Sequence, residues 1–252
     1  MDLGLAGRVY IVTGGTKGLG RATAEALVAD GARVVVSSRS EEHVRETVTE
    51  LGAENATGLV VDNADPASPR QLVDAAYDAY GRLDGLLVSV GGPPAGPVSN
   101  MTDEQWQQAF DSVFLGAVRL ATTVAGRLTD GGSIALVLST SVRAPIPQLS
   151  ISNGLRPGLA MVAKTLSDEL GDRGVRVNSL MPGRIDTERA RELDAATGDA
   201  AAARKERSAG IPLRRYGTPE EFGRVAAFVL SPAASYMTGS VLAVDGGALR
   251  AL

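Results

Sequence analysis

The chain has 252 residues, 44% of them hydrophobic, and no apolar run near the length of a membrane-spanning helix, which predicts one globular domain with a sizeable core. Its 25 basic and 29 acidic residues give a formal charge of −4 without long runs of one sign, which argues against nucleic acid or an anionic membrane as a partner. It contains no cysteine and a single histidine, His43, so we expect neither disulfides nor a metal site.

Taken in order, the chain first shows neither the basic nor the apolar region of a signal peptide at Met1–Gly4, which predicts a cytoplasmic protein. Short runs rich in Val, Ile and Leu then alternate with helical patterns. This alternation predicts an α/β fold, a doubly wound parallel sheet of about seven strands with helices on both faces, as a single domain over residues 1–252. The predicted strands are Arg8–Thr13, Arg33–Ser37, Gly58–Val61, Gly85–Val90, Ser133–Ser139, Val175–Leu180 and Val241–Val244. The predicted helices are Leu19–Asp30, Glu41–Leu51, Pro69–Tyr80, Asp103–Leu128, Arg156–Leu170 and Pro219–Leu230.

A glycine turn directly follows the first strand. Its glycines, Gly14, Gly18 and Gly20, have the spacing Gly-x-x-x-Gly-x-Gly, and a helical pattern follows at once. A strand, a turn and a helix in this order bring backbone N–H groups and the positive end of a helix to one place, where a phosphate can bind. The spacing differs from the commoner Gly-x-Gly-x-x-Gly, so the turn alone also fits a loop without a ligand. In its context we interpret it as a dinucleotide site.

The end of the second strand indicates which dinucleotide is preferred. An NAD enzyme would place a carboxylate here, about 20 residues beyond the glycine turn, to bond the ribose 2′-hydroxyl. This chain instead has Ser37-Ser38-Arg39, and a hydroxyl followed by a guanidinium suits a 2′-phosphate. Lys17 in the glycine turn adds a second positive charge. NADP(H) is therefore predicted; the alternative is that Arg39 and Lys17 are ordinary solvated side chains.

One segment fits neither the strand nor the helix pattern. Arg184–Gly210 is rich in Ala, Arg, Glu and Asp, and it follows the sixth strand. Its composition offers little to bury, so we expect a mobile excursion that serves as a substrate lid at about residues 184–210.

The later motifs carry a family resemblance. Val61-Asp62-Asn63, Gly91-Gly92, Ser139, Met181–Thr187 and Val244–Gly247 follow the successive strands. With the glycine turn, they resemble the short-chain dehydrogenase/reductase superfamily over nearly the whole chain, and within it the 3-oxoacyl-carrier-protein reductase-like proteins. The resemblance implies a Rossmann-type fold, a nicotinamide dinucleotide, a small-molecule substrate and a homo-oligomer, a homotetramer or a dimer. The cofactor-binding residues that it implies, with the NADP(H) groups above, are Gly14, Thr16, Lys17, Gly18, Leu19, Ser38, Arg39, Asp62, Asn63, Gly91, Gly92, Arg156, Pro182, Gly183, Ile185 and Thr187.

The chain departs from the family pattern where the chemistry should lie. Family members have a Ser at the end of the fifth strand, a Tyr 13 residues later, a Lys four residues beyond that, and often an Asn on the preceding long helix. Ser139 is retained, but counting along the chain puts Ser152 at the Tyr position, Arg156 at the Lys position and Val113 at the Asn position. Ser139, Ser152 and Arg156 are therefore the candidate catalytic residues. Ser141 and Arg143 also follow the fifth strand, in the region where family substrates bind.

These replacements change the expected chemistry. A serine hydroxyl is a far weaker acid than a phenol and reaches less far, and a guanidinium is a poor proton shuttle, although it can hold ribose hydroxyls or an oxyanion. Losing a positioned general acid typically costs about 10²–10⁴ in rate. Pro157 also predicts that the sixth helix begins near Asn153 or Gly154, because proline fits only a first turn. Ser152 is then either a helix cap or a catalytic group. Arg156 either faces the cofactor or forms an ion pair on a helix that faces another subunit.

Three functions remain open from the sequence. The first is an NADP(H)-dependent oxidoreductase acting on a carbonyl or alcohol substrate, with Ser139 and a water held by Ser152 or Arg156 in place of the tyrosine. The second is a cofactor-binding protein without turnover, acting as a sensor or a partner subunit. The third is a lyase or isomerase that keeps NADP(H) as a structural group. The intact cofactor motifs favour the first, although fold alone does not choose among them.

Overall fold

The structure is a computed structural model that describes residues 2–128 and 130–250. Its strands are β1 (Val9–Val12), β2 (Arg33–Ser38), β3 (Ala56–Val60), β4 (Gly85–Val88), β5 (Ser133–Val137), β6 (Arg176–Pro182) and β7 (Val241–Val244). In the described ranges these seven strands form one parallel sheet in the order β3-β2-β1-β4-β5-β6-β7. The predicted doubly wound parallel sheet is confirmed.

The helices cover both faces of this sheet. On one face Leu72, Leu120 and Leu159 belong to one buried cluster, and on the other Leu27 and Phe222 belong to a second. Both faces of the strands are therefore buried, which explains their nearly continuous apolar sequence. Within the described ranges, no helix is both long enough and apolar enough to cross a membrane. The helices are α1 (Gly18–Ala29), α2 (Glu41–Leu51), α3 (Ser68–Tyr80), α4 (Asp103–Ala109), α5 (Gly116–Ala125), α6 (Ser150–Leu170), α7 (Glu188–Ala195), α8 (Ala200–Ala209) and α9 (Pro219–Leu230).

The third strand begins two residues earlier than predicted. Ala56 and Thr57 pair with Val34 and Val35 of β2, so the ladder extends the strand through residues that lack a strong apolar signal. At this strand, pairing with a neighbour overrides local propensity.

The predicted long helix Asp103–Leu128 is divided into three parts. Phe110–Leu115 forms a π-helical turn between α4 and α5, and α5 ends at Ala125. The first residue of α5, Gly116, lies so close to the backbone carbonyl of Asn63 that a side chain there would collide with it. The sequence pattern shows periodicity but not this close approach, which is a tertiary contact.

The predicted start of α6 and the predicted capping role of Ser152 are wrong. The helix begins at Ser150, whose hydroxyl donates to the carbonyl of Gly96 at 2.6 Å, and Pro157 lies inside it. The side-chain amide of Asn153 is bonded to both backbone groups of Ile146, at 3.0 and 2.9 Å. These contacts with neighbouring loops hold the first turns of α6 despite the proline. Ser152 is consequently a helical residue with its hydroxyl free for other partners.

The segment after β6 contains two helices where the sequence predicted an irregular excursion. Thr187 caps α7 and Asp199 caps α8, each accepting a hydrogen bond from a backbone N–H in the first turn. Ala190 of α7 packs in a small buried cluster with Ile211 and Tyr216. The segment is therefore ordered by caps and a core of its own, and its mobility as a lid stays a prediction.

Candidate functional site

The site lies where the strand order reverses, between β1 and β4. Loops that follow two such strands diverge and leave a crevice at the carboxyl edge of the sheet, which is where α/β proteins bind ligands. Thr13, at the end of β1, donates through its hydroxyl to the carbonyl of Ser89 at 3.1 Å and accepts from the Ser89 N–H at 3.0 Å. This reciprocal pair fixes the glycine turn relative to the loop after β4.

Two glycines of the turn have backbone conformations that residues with a side chain rarely adopt. Gly14 and Gly18 have φ values of 56° and 51°, in the left-handed region, and a Cβ at Gly14 would lie 2.6 Å from the Ser89 carbonyl oxygen. Within the described residues, no side chain caps α1, and its first turn carries no acidic residue. The N–H groups of Gly18, Leu19 and Gly20 are thus available to an anionic ligand at the positive end of the helix. Thr16 and Lys17 complete the turn.

The opposite wall of the crevice is the loop Gly91-Gly92-Pro93. A Cβ at Gly91 would meet no heavy atom within 4 Å, so nothing in the described chain requires a glycine there. A ligand that lies against the backbone at position 91 would explain the glycine, because a side chain would occupy the same space. The open space at Gly91 and the free N–H groups across the crevice together fit a dinucleotide.

The residues predicted to select NADP(H) lie at neighbouring strand ends. Ser38 is the last residue of β2, and its hydroxyl accepts from the N–H of Ser40 at 3.2 Å. Arg39 follows and is exposed. Lys17 forms an ion pair with Glu188 of α7, at 3.0 Å. Arg39 is therefore positioned for a phosphate, whereas Lys17 already has an anionic partner.

The remaining cofactor candidates also lie at this edge of the sheet. Asp62 is exposed just beyond β3, where its carboxylate accepts from the N–H of Ala64 at 2.9 Å, and Asn63 lies against α5. Pro182 ends β6, and Gly183 then leads to Ile185, which is buried. Thr187 reaches the glycine turn, since its methyl carbon would lie 3.3 Å from a Cβ at Gly18.

The three candidate catalytic residues come from β5 and α6. Ser139 follows β5, and its hydroxyl accepts from the N–H of Ser141 at 3.2 Å. The Ser152 hydroxyl lies 3.3 Å from the Ser141 hydroxyl, and both serines are buried. Arg156 lies one helical turn beyond Ser152, on the same side of α6. Three serines linked through Ser141, with a guanidinium one helical turn away, therefore lie together at the end of β5 and the start of α6.

Arg156 is a buried cation without a carboxylate. Its Nη1 donates to the carbonyl of Val137 at 2.7 Å, and burial alone lowers its pKa to about 10, so it is charged at neutral pH. Among the described residues of this chain no carboxylate contributes to the pKa of Arg156, and an ion pair with a second subunit stays a prediction. A guanidinium has five N–H donors and this one uses a single donor on a carbonyl, which leaves capacity for a ligand.

The family's asparagine position contributes packing and no polar group. Val113 lies in the π-helical turn and is buried in the main apolar cluster. The polar groups at the candidate catalytic positions are therefore those at the β5 end and in the first turns of α6.

Two residues of α7 join the site without any sequence signal. Glu188 bonds Lys17 on one wall, and Arg189 donates through Nη2 to the carbonyl of Pro93 on the other, at 2.8 Å. The Arg189 guanidinium also lies over Gly92, with Nε 3.2 Å from where a Cβ would be. The start of α7 thus bridges the crevice.

Comparison with known proteins identifies the family. The chain matches, over residues 14–248, the profile of a family described as enoyl-(acyl carrier protein) reductase. It is 35% identical to an uncharacterized oxidoreductase of Methylorubrum extorquens, with 96% of this chain and 98% of that protein covered. It is 34% identical to the human dehydrogenase/reductase SDR family member 4, with 96% and 88% covered. The chain belongs to the short-chain dehydrogenase/reductase superfamily.

A solved structure from this superfamily confirms the Rossmann-type fold. The L-sorbose reductase of Gluconobacter frateurii, complexed with NADPH and L-sorbose, superposes with a TM-score of 0.93 at 29% identity, and each chain is covered completely. The short-chain dehydrogenase/reductase relatives are oxidoreductases, so the chain is a member of an oxidoreductase family.

Proposed function

We propose that the protein is an NADP(H)-dependent oxidoreductase that acts on a carbonyl or alcohol substrate through an atypical site. The crevice between Gly18 and Gly91 carries this proposal, because free N–H groups face a backbone that leaves room for a dinucleotide. Arg39 and Ser38 supply a cation and a hydroxyl for a 2′-phosphate, without the carboxylate that would repel it. The NADPH bound by the related L-sorbose reductase supports the same cofactor here.

The roles of the remaining residues follow from their chemistry. When bound, NADPH supplies a hydride. Arg156 holds ribose hydroxyls or a developing oxyanion through its unused N–H donors, and Ser139 donates to the substrate oxygen. Neither the Arg156 guanidinium nor a serine hydroxyl releases a proton readily at neutral pH, so the proton comes from water held among these groups.

A second candidate function is NADPH binding without turnover. It is favoured by the bond between the Ser141 and Ser152 hydroxyls, since these two groups are bonded to each other and not aimed at a substrate. The two functions require the same cofactor and differ only in what happens at the serines.

Calorimetric titration with NADPH and NADH tests the cofactor. We expect NADPH to bind more tightly, and we expect Arg39→Asp to reverse the order, because a carboxylate repels the 2′-phosphate and accepts from a 2′-hydroxyl. Arg45→Asp on the exposed side of α2 is the matched control and should leave the order unchanged. Equal affinities for NADPH and NADH would show that Arg39 does not select the cofactor. If neither nucleotide binds, the whole proposed cofactor site is wrong.

A substrate panel then separates the two candidates. Aldehydes, ketones and activated alkenes are mixed with NADPH, and its oxidation is followed by absorbance. Oxidation above background with any of these classes supports the oxidoreductase. The protein is a binding protein without turnover if NADPH binds tightly, no compound of the panel oxidises it, and the corresponding alcohols do not reduce NADP in the reverse direction.

A further inference from the structure

Ser141 connects the two other serines of the site. Its backbone N–H donates to the Ser139 hydroxyl at 3.2 Å, and its own hydroxyl lies 3.3 Å from that of Ser152. We propose that Ser141 is a positioning residue, whose hydroxyl and that of Ser152 together hold one water molecule as the proton source for the substrate oxygen. This inference rests on the proposed oxidoreductase function.

The hydrogen bond between Ser141 and Ser152 leaves one of the two hydroxyl hydrogens without an acceptor. Each serine hydroxyl has one hydrogen to donate and two lone pairs to accept with. Only one hydrogen lies between Ser141 and Ser152, so the serine that accepts it still has its own hydrogen to donate. Elsewhere in the described ranges neither hydroxyl has a side-chain or backbone partner for that hydrogen. Both residues are buried, 4% and 5% exposed, and a buried donor left unbonded destabilises the fold, so a partner is expected.

The neighbouring groups make water the suitable partner. A water molecule accepts the free hydrogen and still has two hydrogens to donate, one of them to a substrate oxygen held by Ser139. Arg156 lies one turn along α6 and carries a buried positive charge. A nearby cation favours the deprotonated form of an acid, so it makes the water a better proton donor.

The proton and electron balance closes with solvent. As the carbonyl carbon gains the hydride, the π electrons of the C=O bond move to the oxygen, which takes a proton from the held water. The hydroxide left behind is protonated from bulk solvent. The net change is that one carbonyl is reduced to an alcohol, one NADPH is oxidised and one solvent proton is consumed.

The first test compares two buried serines. Ser141→Ala should lower kcat on the order of 10²-fold, the lower end of the effect of a positioned proton donor, and should alter the pH profile of kcat. NADPH affinity should stay within about 2-fold of wild type, because Ser141 lies outside the nucleotide contacts. Ser179→Ala is the control, since the Ser179 hydroxyl is buried in β6 without a partner among the described residues. Ser141→Thr keeps the hydroxyl and should restore most of the activity.

The possible outcomes distinguish this inference from the proposed function. If wild type turns over and Ser141→Ala does so equally well, Ser141 has no part in the reaction, and the proposed function stands. If Ser141→Ala loses NADPH binding as well as turnover, its role is structural and the inference is wrong. If wild type binds NADPH and never oxidises it, both the proposed function and the inference fail.

A second measurement tests the pairing without activity. The chain has no cysteine, so the double variant Ser141→Cys, Ser152→Cys contains the only two thiols. Hydroxyls 3.3 Å apart place these thiols close enough to form a disulfide on mild oxidation, detected by mass and by loss of free thiol. The pair Ser141→Cys, Ser179→Cys should stay reduced. A folded variant that keeps both thiols free at positions 141 and 152 would contradict the pairing.

Discussion

The carboxylate of Glu188 lies 3.0 Å from the ammonium group of Lys17, so the first residue of α7 is bonded to the glycine turn. The next residue, Arg189, bonds the opposite wall of the crevice at Pro93. Lys17 lowers the pKa of Glu188, which keeps the pair ionised at neutral pH. A 2′-phosphate that uses Lys17 must therefore compete with Glu188.

Removing that competitor should strengthen NADPH binding. Because both side chains are exposed, the ion pair is weak, and we expect Glu188→Gln to tighten NADPH binding by about 2- to 5-fold. Glu192→Gln is the control, since Glu192 pairs with Arg189 on the same helix at 3.3 Å. Titration calorimetry measures both. The same gain in a Lys17→Met background would show that Lys17 is not involved.

A side chain at Gly91 should block the cofactor without harming the fold. Nothing in the described chain lies within 4 Å of a Cβ there, so Gly91→Val should unfold at the wild-type temperature. If the cofactor lies against this backbone, NADPH affinity should fall about 10-fold or more, the scale of forcing a side chain into occupied space. Gly171→Val is the matched control, because a Cβ there also meets nothing. Unchanged NADPH binding by Gly91→Val would place the cofactor elsewhere.

Acid should weaken the contacts that hold α7 and α8 to the loop after β6. Hydrogen bonds from Arg204 and Arg191 lower the pKa of Asp186 to about 2 from 3.8. A carboxyl with a lowered pKa in the folded state contributes stability above its ordinary pKa and loses it as the pH falls. We therefore expect pepsin to cut within residues 184–210 increasingly as the pH falls from about 4 to 2.

The variant Asp186→Asn tests the same contacts at neutral pH. It removes the carboxylate from Arg191 and Arg204, so hydrogen exchange in α7 and α8 should be faster than in wild type. Asp172→Asn, at an exposed aspartate before the opposite end of β6, should leave that exchange unchanged. Equal protection in Asp186→Asn and wild type would mean that the small core around Tyr216 holds these helices alone.

Restoring the family groups tests the geometry of the site. The double variant Ser152→Tyr, Arg156→Lys returns both groups to their family spacing, and we expect new or faster carbonyl reduction with NADPH. The introduced tyrosine ring must displace the Ser141 contact, so Ser141→Ala should no longer lower kcat in this background. Steady-state kinetics on the panel substrates measure both effects. No gain in rate would indicate that the start of α6 holds position 152 away from the reacting atoms.

An exposed apolar face supports the predicted homo-oligomer. Phe110 is 37% and Met161 is 69% exposed, and Phe110 stacks on Phe114 with ring centroids 5.3 Å apart. We expect light scattering to give a dimer or tetramer of the 26.0 kDa chain, and Met161→Glu to reduce its mass. Val60→Glu, at an exposed valine of the edge strand β3, is the control. A wild-type monomer would contradict the prediction.

The sequence correctly predicts the bounds of helices whose capping residues lie next to them in the chain. The bounds of α9 agree with the prediction, because Thr218 and Glu221 form a capping box and Pro219 occupies the first turn. The early start of α6 was unpredictable, since it depends on a bond between Ser150 and Gly96, 54 residues away. Glu188 and Arg189 were also missed, because their partners lie 171 and 96 residues distant. Local sequence patterns therefore predict the strands and the glycine turn of the site. Contacts between residues far apart in the chain determine where α6 begins and which residues of α7 join the site.

The reciprocal bonds between Thr13 and Ser89 have a mechanical consequence. They join the ends of β1 and β4, so these two sides of the crevice move as one body. The third side is the start of α7, which is attached through exposed side chains alone at Lys17 and through one carbonyl at Pro93. We therefore expect the residence time of a bound nucleotide to depend on how often both contacts of α7 are broken at the same time.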